Sequence, residues 1–172
     1  MAVVNKSSAA ITKRDAPPSQ TNSTLAPTKV ATGRVKESLG VIQAANGDSI
    51  GSILRYFAVH SSWRVSAIRL SCDAVTGAAA DVGLYDMPTR NSGAVVDADF
   101  FASAQSLASA LDKTDITRES GLITVAKLEQ PLWQLLGLAQ DPGVWYDVAA
   151  TLTAAATADG YTALHGYFID GN

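Results

Sequence analysis

Few residues in this chain combine a type and a spacing that could do chemistry. There are two histidines, His60 and His165, and one cysteine, Cys72. Nucleophilic catalysis needs a base held against a nucleophile and a third group to orient it. His60 falls in the polar connection His60-Ser61-Ser62 and reads as a solvated loop residue, while His165 falls in a strand pattern. No Gly-x-Ser-x-Gly elbow accompanies either of them. Cys72 sits on an apolar strand face and reads as a packed small hydrophobe, and a lone cysteine forms no intrachain disulfide. Asp97 and Asp99 could share a divalent cation, but two carboxylates without further oxygen ligands fit better as caps at a helix start. There is no His/Cys zinc spacing, no phosphate-cradling glycine loop and no basic-aromatic face for nucleic acid. The other acids are scattered singly at strand ends, unlike the carboxylate pair of a glycosidase. The chain is therefore expected to be no enzyme, to need no cofactor or metal, and to bind neither nucleic acid nor membrane. No stretch approaches membrane-spanning length, and the N-terminus has no apolar core of signal-peptide length.

What remains are residues for recognition. Trp133, Trp145, Tyr146, Tyr161 and Tyr167 could stack on sugars, but large aromatics more often fill a core or an interface. Trp133, Trp145 and Tyr167 are the candidate interface aromatics. Charge is distributed unevenly. Residues 1–40 hold six basic residues against two acidic ones, and residues 41–172 hold seven against fourteen. A basic segment on an acidic body suits contact with another copy or an acidic neighbour. Residues 1–32 are rich in Pro, Ser and Thr and cannot bury enough apolar surface to offset their conformational entropy. They are expected to form an extended N-terminal arm whose Lys6, Lys13, Arg14 and Lys29 meet a partner. Residues 33–172 form the body.

The elements that must position these residues are mostly strands. Gly33 to Ala45 reads as the first, with Val35, Leu39 and Val41 as apolar anchors, and Asn46-Gly47-Asp48 as the turn after it. Ser52 to Val59 is the second. Trp63 to Asp86 reads as two strands joined by a turn near Asp73 to Ala78, and the chain is organised around it. Ile68, Leu70 and Cys72 share one face of its first strand, and Val82 and Leu84 one face of its second. A short strand at Ala94 to Val96 precedes a change of period: Phe100, Ala104, Leu107 and Leu111 fit one stripe of a helix over Asp97 to Leu111. Leu122 to Leu128 alternates as a strand, and Pro131 opens a short helix to Leu136. Val144 to Thr157 and Tyr161 to Asp170 alternate as two long strands around a hairpin turn at Ala158-Asp159-Gly160. About eight short strands with two helical insertions predict an all-β protein, an antiparallel β-sandwich of jelly-roll type with an N-terminal arm.

Three segments carry a resemblance: Asp81-Val82-Gly83-Leu84-Tyr85-Asp86, Val95-Val96-Asp97-Ala98-Asp99-Phe100-Phe101-Ala102-Ser103-Ala104 and Pro131-Leu132-Trp133-Gln134-Leu135-Leu136-Gly137-Leu138. They resemble stretches of the head decoration, or cement, proteins of tailed bacteriophages, and the similarity spans about Val35 to Asp170. It implies a virion protein, made in the host cytoplasm, that binds the capsid exterior across junctions of the major capsid protein. It further implies homo-oligomers, dimers or trimers, whose arms clasp neighbours. The alternatives are a carbohydrate-binding fibre or lectin-like module, and a tail or neck protein of the same kind of particle.

Overall fold

The computed structural model describes residues 34–170. Lys6, Lys13, Arg14 and Lys29 of the expected arm lie outside the described residues. Eight strands follow in order: β1 (Arg34–Ala44), β2 (Ile53–His60), β3 (Arg64–Cys72), β4 (Ala79–Asp86), β5 (Val95–Ser106), β6 (Leu111–Asp115), β7 (Trp145–Ala154) and β8 (Gly160–Asp170). They form two four-stranded antiparallel sheets, A in the order β1-β8-β3-β6 and B in the order β2-β7-β4-β5. This interleaving is the strand order of a jelly roll, so the expected sandwich is the fold the chain adopts.

Among the described strands, β4 and β5 alone are consecutive and paired; the other connections cross from one sheet to the other. Two expected hairpins are corrected by this. β3 and β4 exist near the expected bounds, but the link between them carries the chain from sheet A to sheet B. The turn at Ala158-Asp159-Gly160 likewise joins β7 in sheet B to β8 in sheet A. Turn residues encode a reversal; which strand then pairs with which depends on how buried faces meet, and that is non-local.

The core lies between the sheets. Ile68, Leu70, Leu164 and Phe168 come from sheet A, Val82, Leu84, Val148 and Leu152 from sheet B, and all are almost fully buried. Each such side chain contributes about 1.5–3 kcal/mol relative to exposure. The Tyr56 hydroxyl bonds Thr162 Oγ1 at 2.8 Å, and Thr162 donates to the Ile42 carbonyl at 3.1 Å. Burial pushes the Tyr56 phenol up to about 12.

Three local expectations are corrected. Residues 97–106 continue β5 and form no helix, so Asp97 and Asp99 are not helix caps. β5 slips repeatedly against β4, with Val82 opposite Ala102 and Leu84 opposite Asp97. The extra residues leave the ladder, and Phe100, Phe101 and Ala102 are all buried in succession. Such a bulge erases the two-residue period and leaves a spacing that imitates a helical stripe. Leu122 to Leu128 is not a strand; it contains a 3-10 turn at Val125–Lys127, with Val125 73% exposed. It alternates, but no neighbouring strand takes up its hydrogen bonds. The short helix after Pro131 is present as α1 (Leu132–Leu135), with Leu132 and Leu135 buried.

The third correction concerns β1. Val35, Leu39 and Val41 are not core anchors: they are 65%, 55% and 57% exposed. The register with β8 decides this. Gly40 pairs with Leu164 and Lys36 with Phe168, whose side chains face the core, so the even-numbered residues of β1 face inward. A Cβ on Gly40 would lie 2.5 Å from the Tyr56 carbonyl oxygen and 2.7 Å from its Cα. The backbone of β1 therefore presses directly onto β2, and only glycine fits there.

Candidate interaction surfaces

Three surfaces are built by this fold. The first is the outer face of sheet A. The pairing sets Val35 beside Ile169, Glu37 beside Tyr167, Leu39 beside His165, Val41 beside Ala163 and Gln43 beside Tyr161. Tyr161 is 56% exposed, so with Val35, Leu39 and Val41 it makes an apolar strip along the β1 side of the sheet. Further in, the Arg69 guanidinium stands 5.6 Å from the Tyr167 ring centroid. Arg69 pairs in turn with Asp115 of β6. Burial pushes the Asp115 carboxyl up. Hydrogen bonds from the Thr117 hydroxyl and backbone N–H, with Arg69 and Arg118 nearby, more than offset this and hold it below the usual carboxylate range.

The second surface is an aromatic cluster at one end of the sandwich. His60 ends β2 and pairs with Trp145, the first residue of β7. The Trp145 ring lies 5.2 Å from His60 and 5.1 Å from Trp63, both at 78°. Trp63 also lies 6.0 Å from Phe168 and takes the Lys36 ammonium at 6.0 Å. The turn between β2 and β3 is tied down from both sides. Ser61 is fully buried, donates to Asp141 Oδ1 at 2.5 Å and accepts from the Val144 N–H at 3.1 Å. The Trp133 N–H donates to the Ser61 carbonyl at 3.0 Å, which docks α1 here.

His60 is part of that turn and is not a free solvated loop residue. The Ser62 N–H donates to His60 Nδ1 at 3.2 Å, and the Ser62 hydroxyl meets the same nitrogen at 2.8 Å. Both contacts hold the ring against the turn. This arrangement ties the turn together, and His165 lies in the other sheet.

The third surface is the outer face of sheet B, and the fold covers much of it. Gly83 is buried because β5 folds back over it: a Cβ there would run into the carbonyl oxygens of Asp97 and Ala98. Tyr85 is fully buried, its hydroxyl 2.5 Å from Thr151 Oγ1, with the Arg55 guanidinium 5.5 Å from its ring. Burial raises the Tyr85 phenol. Burial also raises the Asp97 carboxyl, helped by a hydrogen bond with Asp99 and by that neighbour's charge. Among the described residues, no group of three or more His, Cys, Asp or Glu could hold a metal.

The expected interface aromatics do not form one site. Trp133 and Trp145 belong to elements that meet at the aromatic end, while Tyr167 stands on the outer face of sheet A. Tyr146 is buried. Cys72 is buried as expected, and burial pushes its thiol up. The sequence reading missed the outward strip of β1, because Lys36, Ser38 and Gly40 on its inward face are poor core residues and point the alternation the wrong way. No helix among the described residues is long and apolar enough to cross a membrane.

No protein-family model matches the chain, and no curated protein matches it. In fold it is similar to chains of two solved structures. One, from the capsid of Ralstonia phage GP4, is 15% identical with a TM-score of 0.53, over 81% of this chain and 86% of that one. The other, from the cyanophage Pam1 capsid asymmetric unit, is 14% identical with a TM-score of 0.48, over 80% and 86%. At these identities the likeness is one of fold.

Proposed function

We propose that this chain is a structural protein of a bacteriophage head: a decoration, or cement, protein that binds the outside of the capsid shell and bridges junctions between major capsid subunits. The observation that carries the reading is the exposed apolar strip of sheet A, borne on a fold similar to that of a chain in the Ralstonia phage GP4 capsid. A strip with three aliphatic side chains more than half exposed on one strand suits a surface that another protein covers. In this reading the role is mechanical and not catalytic, and the protein works on the virion exterior.

The basic arm is assigned to the same task. Lys6, Lys13, Arg14 and Lys29 meet acidic surface on a neighbouring subunit. Each exposed ion pair contributes only about 0–1 kcal/mol, so the arm cannot hold by charge alone. Many linked contacts on one particle raise the effective concentration and supply the rest. Sugar binding has less support, because Trp145 meets both His60 and Trp63 edge to face and His60 is tilted against Trp63, so the three rings form no single flat platform.

The test is imaging of shells assembled with and without the protein, followed by re-addition of the full chain and of a chain lacking residues 1–32. The expected result is extra density on the outer shell surface, with lower occupancy and lower heat resistance for the truncated chain. Density confined to the tail or neck, or no association with shells, overturns the decoration reading. Equal occupancy and protection by the truncated chain overturns the role given to the arm.

A further inference from the structure

The two sheets have four terminal strands, and three of them are blunted against further pairing. β5 slips three times against β4. β2 is interrupted between Arg55 and Phe57. β6 has five residues with the sequence Leu-Asp-Lys-Thr-Asp, a slip against β3, and Lys113 at φ 51°. Bulges, short length and charge are the means by which edge strands avoid joining other chains. β1 has no bulge and is not short, and its charges, Arg34, Lys36 and Glu37, are confined to its first half. It is eleven residues long, its register with β8 runs unbroken from Arg34 to Ala44, and it contains no proline. Among the described strands it is hydrogen-bonded to β8 alone.

The outward residues of β1 are also self-complementary. Take a second copy of β1 running antiparallel about a two-fold axis at Gly40. Leu39 then faces Val41 of the other copy, and the same pair recurs by symmetry, giving a four-residue apolar patch. Glu37 faces Gln43, a carboxylate opposite an amide that can donate to it. On the inner side Ser38 faces Ile42, and Lys36 faces Ala44. Lys36 and Glu37 lie in the first half of the strand, so each meets an uncharged residue of its partner, Ala44 or Gln43, while Arg34 falls opposite position 46, beyond the strand end. A parallel pairing would stack like charges and is disfavoured.

We propose that β1 is a homodimerisation edge: two copies join β1 to β1 antiparallel about Gly40, and sheet A becomes a continuous eight-stranded sheet. The apolar strip is then partly covered within the dimer. The inference stands on the edge geometry and does not require shell binding, so the two fail separately.

The experiment uses the full chain. Sedimentation equilibrium or light scattering is expected to give twice the mass of one chain, in a concentration-dependent equilibrium. Leu39→Lys with Val41→Lys, both at exposed positions, is expected to weaken the dimer at least tenfold with unchanged circular dichroism. A second pair keeps the test decisive if that variant misfolds: Glu37→Lys with Gln43→Lys sets lysine against lysine across the axis and is expected to dissociate the dimer, while Gln43→Lys alone sets it against Glu37 and tightens it. A single-chain mass at all concentrations overturns the proposal. So does an assembly of any size that ignores both pairs of substitutions, which places the contact elsewhere. β1 amides protected from exchange equally at high and low dilution also overturn it, because the edge is then covered within one chain.

Discussion

Arg55 Nη1 lies 2.9 Å from Asp147 Oδ2, joining β2 to β7 on the outer face of sheet B. The same guanidinium donates to the Asp86 carbonyl at 2.9 Å and to the Gly93 carbonyl at 2.7 Å. One side chain thus ties the edge strand β2, its neighbour β7 and the loop between β4 and β5. Arg55→Met removes three charge-assisted bonds and leaves their acceptors half-buried, which is expected to cost about 2–3 kcal/mol. Asp147→Asn retains the carbonyl contacts and is expected to cost less. Thermal unfolding of both variants checks the order; equal loss in both would mean that the ion pair alone matters.

Gly83 faces β5 where it folds back. Because the oxygens a Cβ would meet belong to backbone, no side-chain rotation relieves the clash. Gly83→Ala is expected to cost about 3 kcal/mol or more, at the upper end of overpacking. Urea denaturation measures it, and a loss below 1 kcal/mol would show that β5 shifts freely.

Asp97 predicts a pH signature. Its folded-state carboxyl is raised, by burial first and by Asp99 next. Its contribution is therefore favourable below the unfolded carboxylate range and is lost as pH rises through the folded value. At neutral pH the group is a liability, so Asp97→Asn is expected to raise stability there by about 0.5 kcal/mol, the scale of an exposed charge contact. The gain should vanish toward pH 3. A gain that persists unchanged into acid would rule out a titration origin.

Cys72 is 7% exposed and its thiol is raised by burial. Little thiolate is present at neutral pH, so a disulfide reagent is expected to react with the native protein at least a hundredfold more slowly than with the urea-unfolded chain. Similar rates in both states would place the thiol at the surface.

The body is proposed to fold without the arm. A chain starting at Gly33 is expected to melt within about 2 °C of the full chain, since the Pro/Ser/Thr-rich composition of residues 1–32 offers little apolar surface to bury. Aggregation of the shortened chain would instead make residues 1–32 part of the fold.

Alternation of side chains was enough to place most strands from sequence. Leu164 and Phe168 in β8, and Tyr146, Val148, Ala150 and Leu152 in β7, face the core as their two-residue period predicts, because each pleat buries one face whatever its partner. The jelly-roll class followed from the count and spacing of such strands. The chemistry-bearing residues also read correctly where burial alone decided, as at Cys72. The β1 strip did not. Val35, Leu39 and Val41 look like core residues in isolation, and they turn outward because β8 fixes their register and Gly40 must meet the Tyr56 backbone. The bulge of β5, the sheet-to-sheet crossings and the meeting of His60, Trp63 and Trp145 are of the same kind. Each depends on contacts between residues far apart in the chain, and a local pattern carries the period of a strand but not the identity of the surface that it faces.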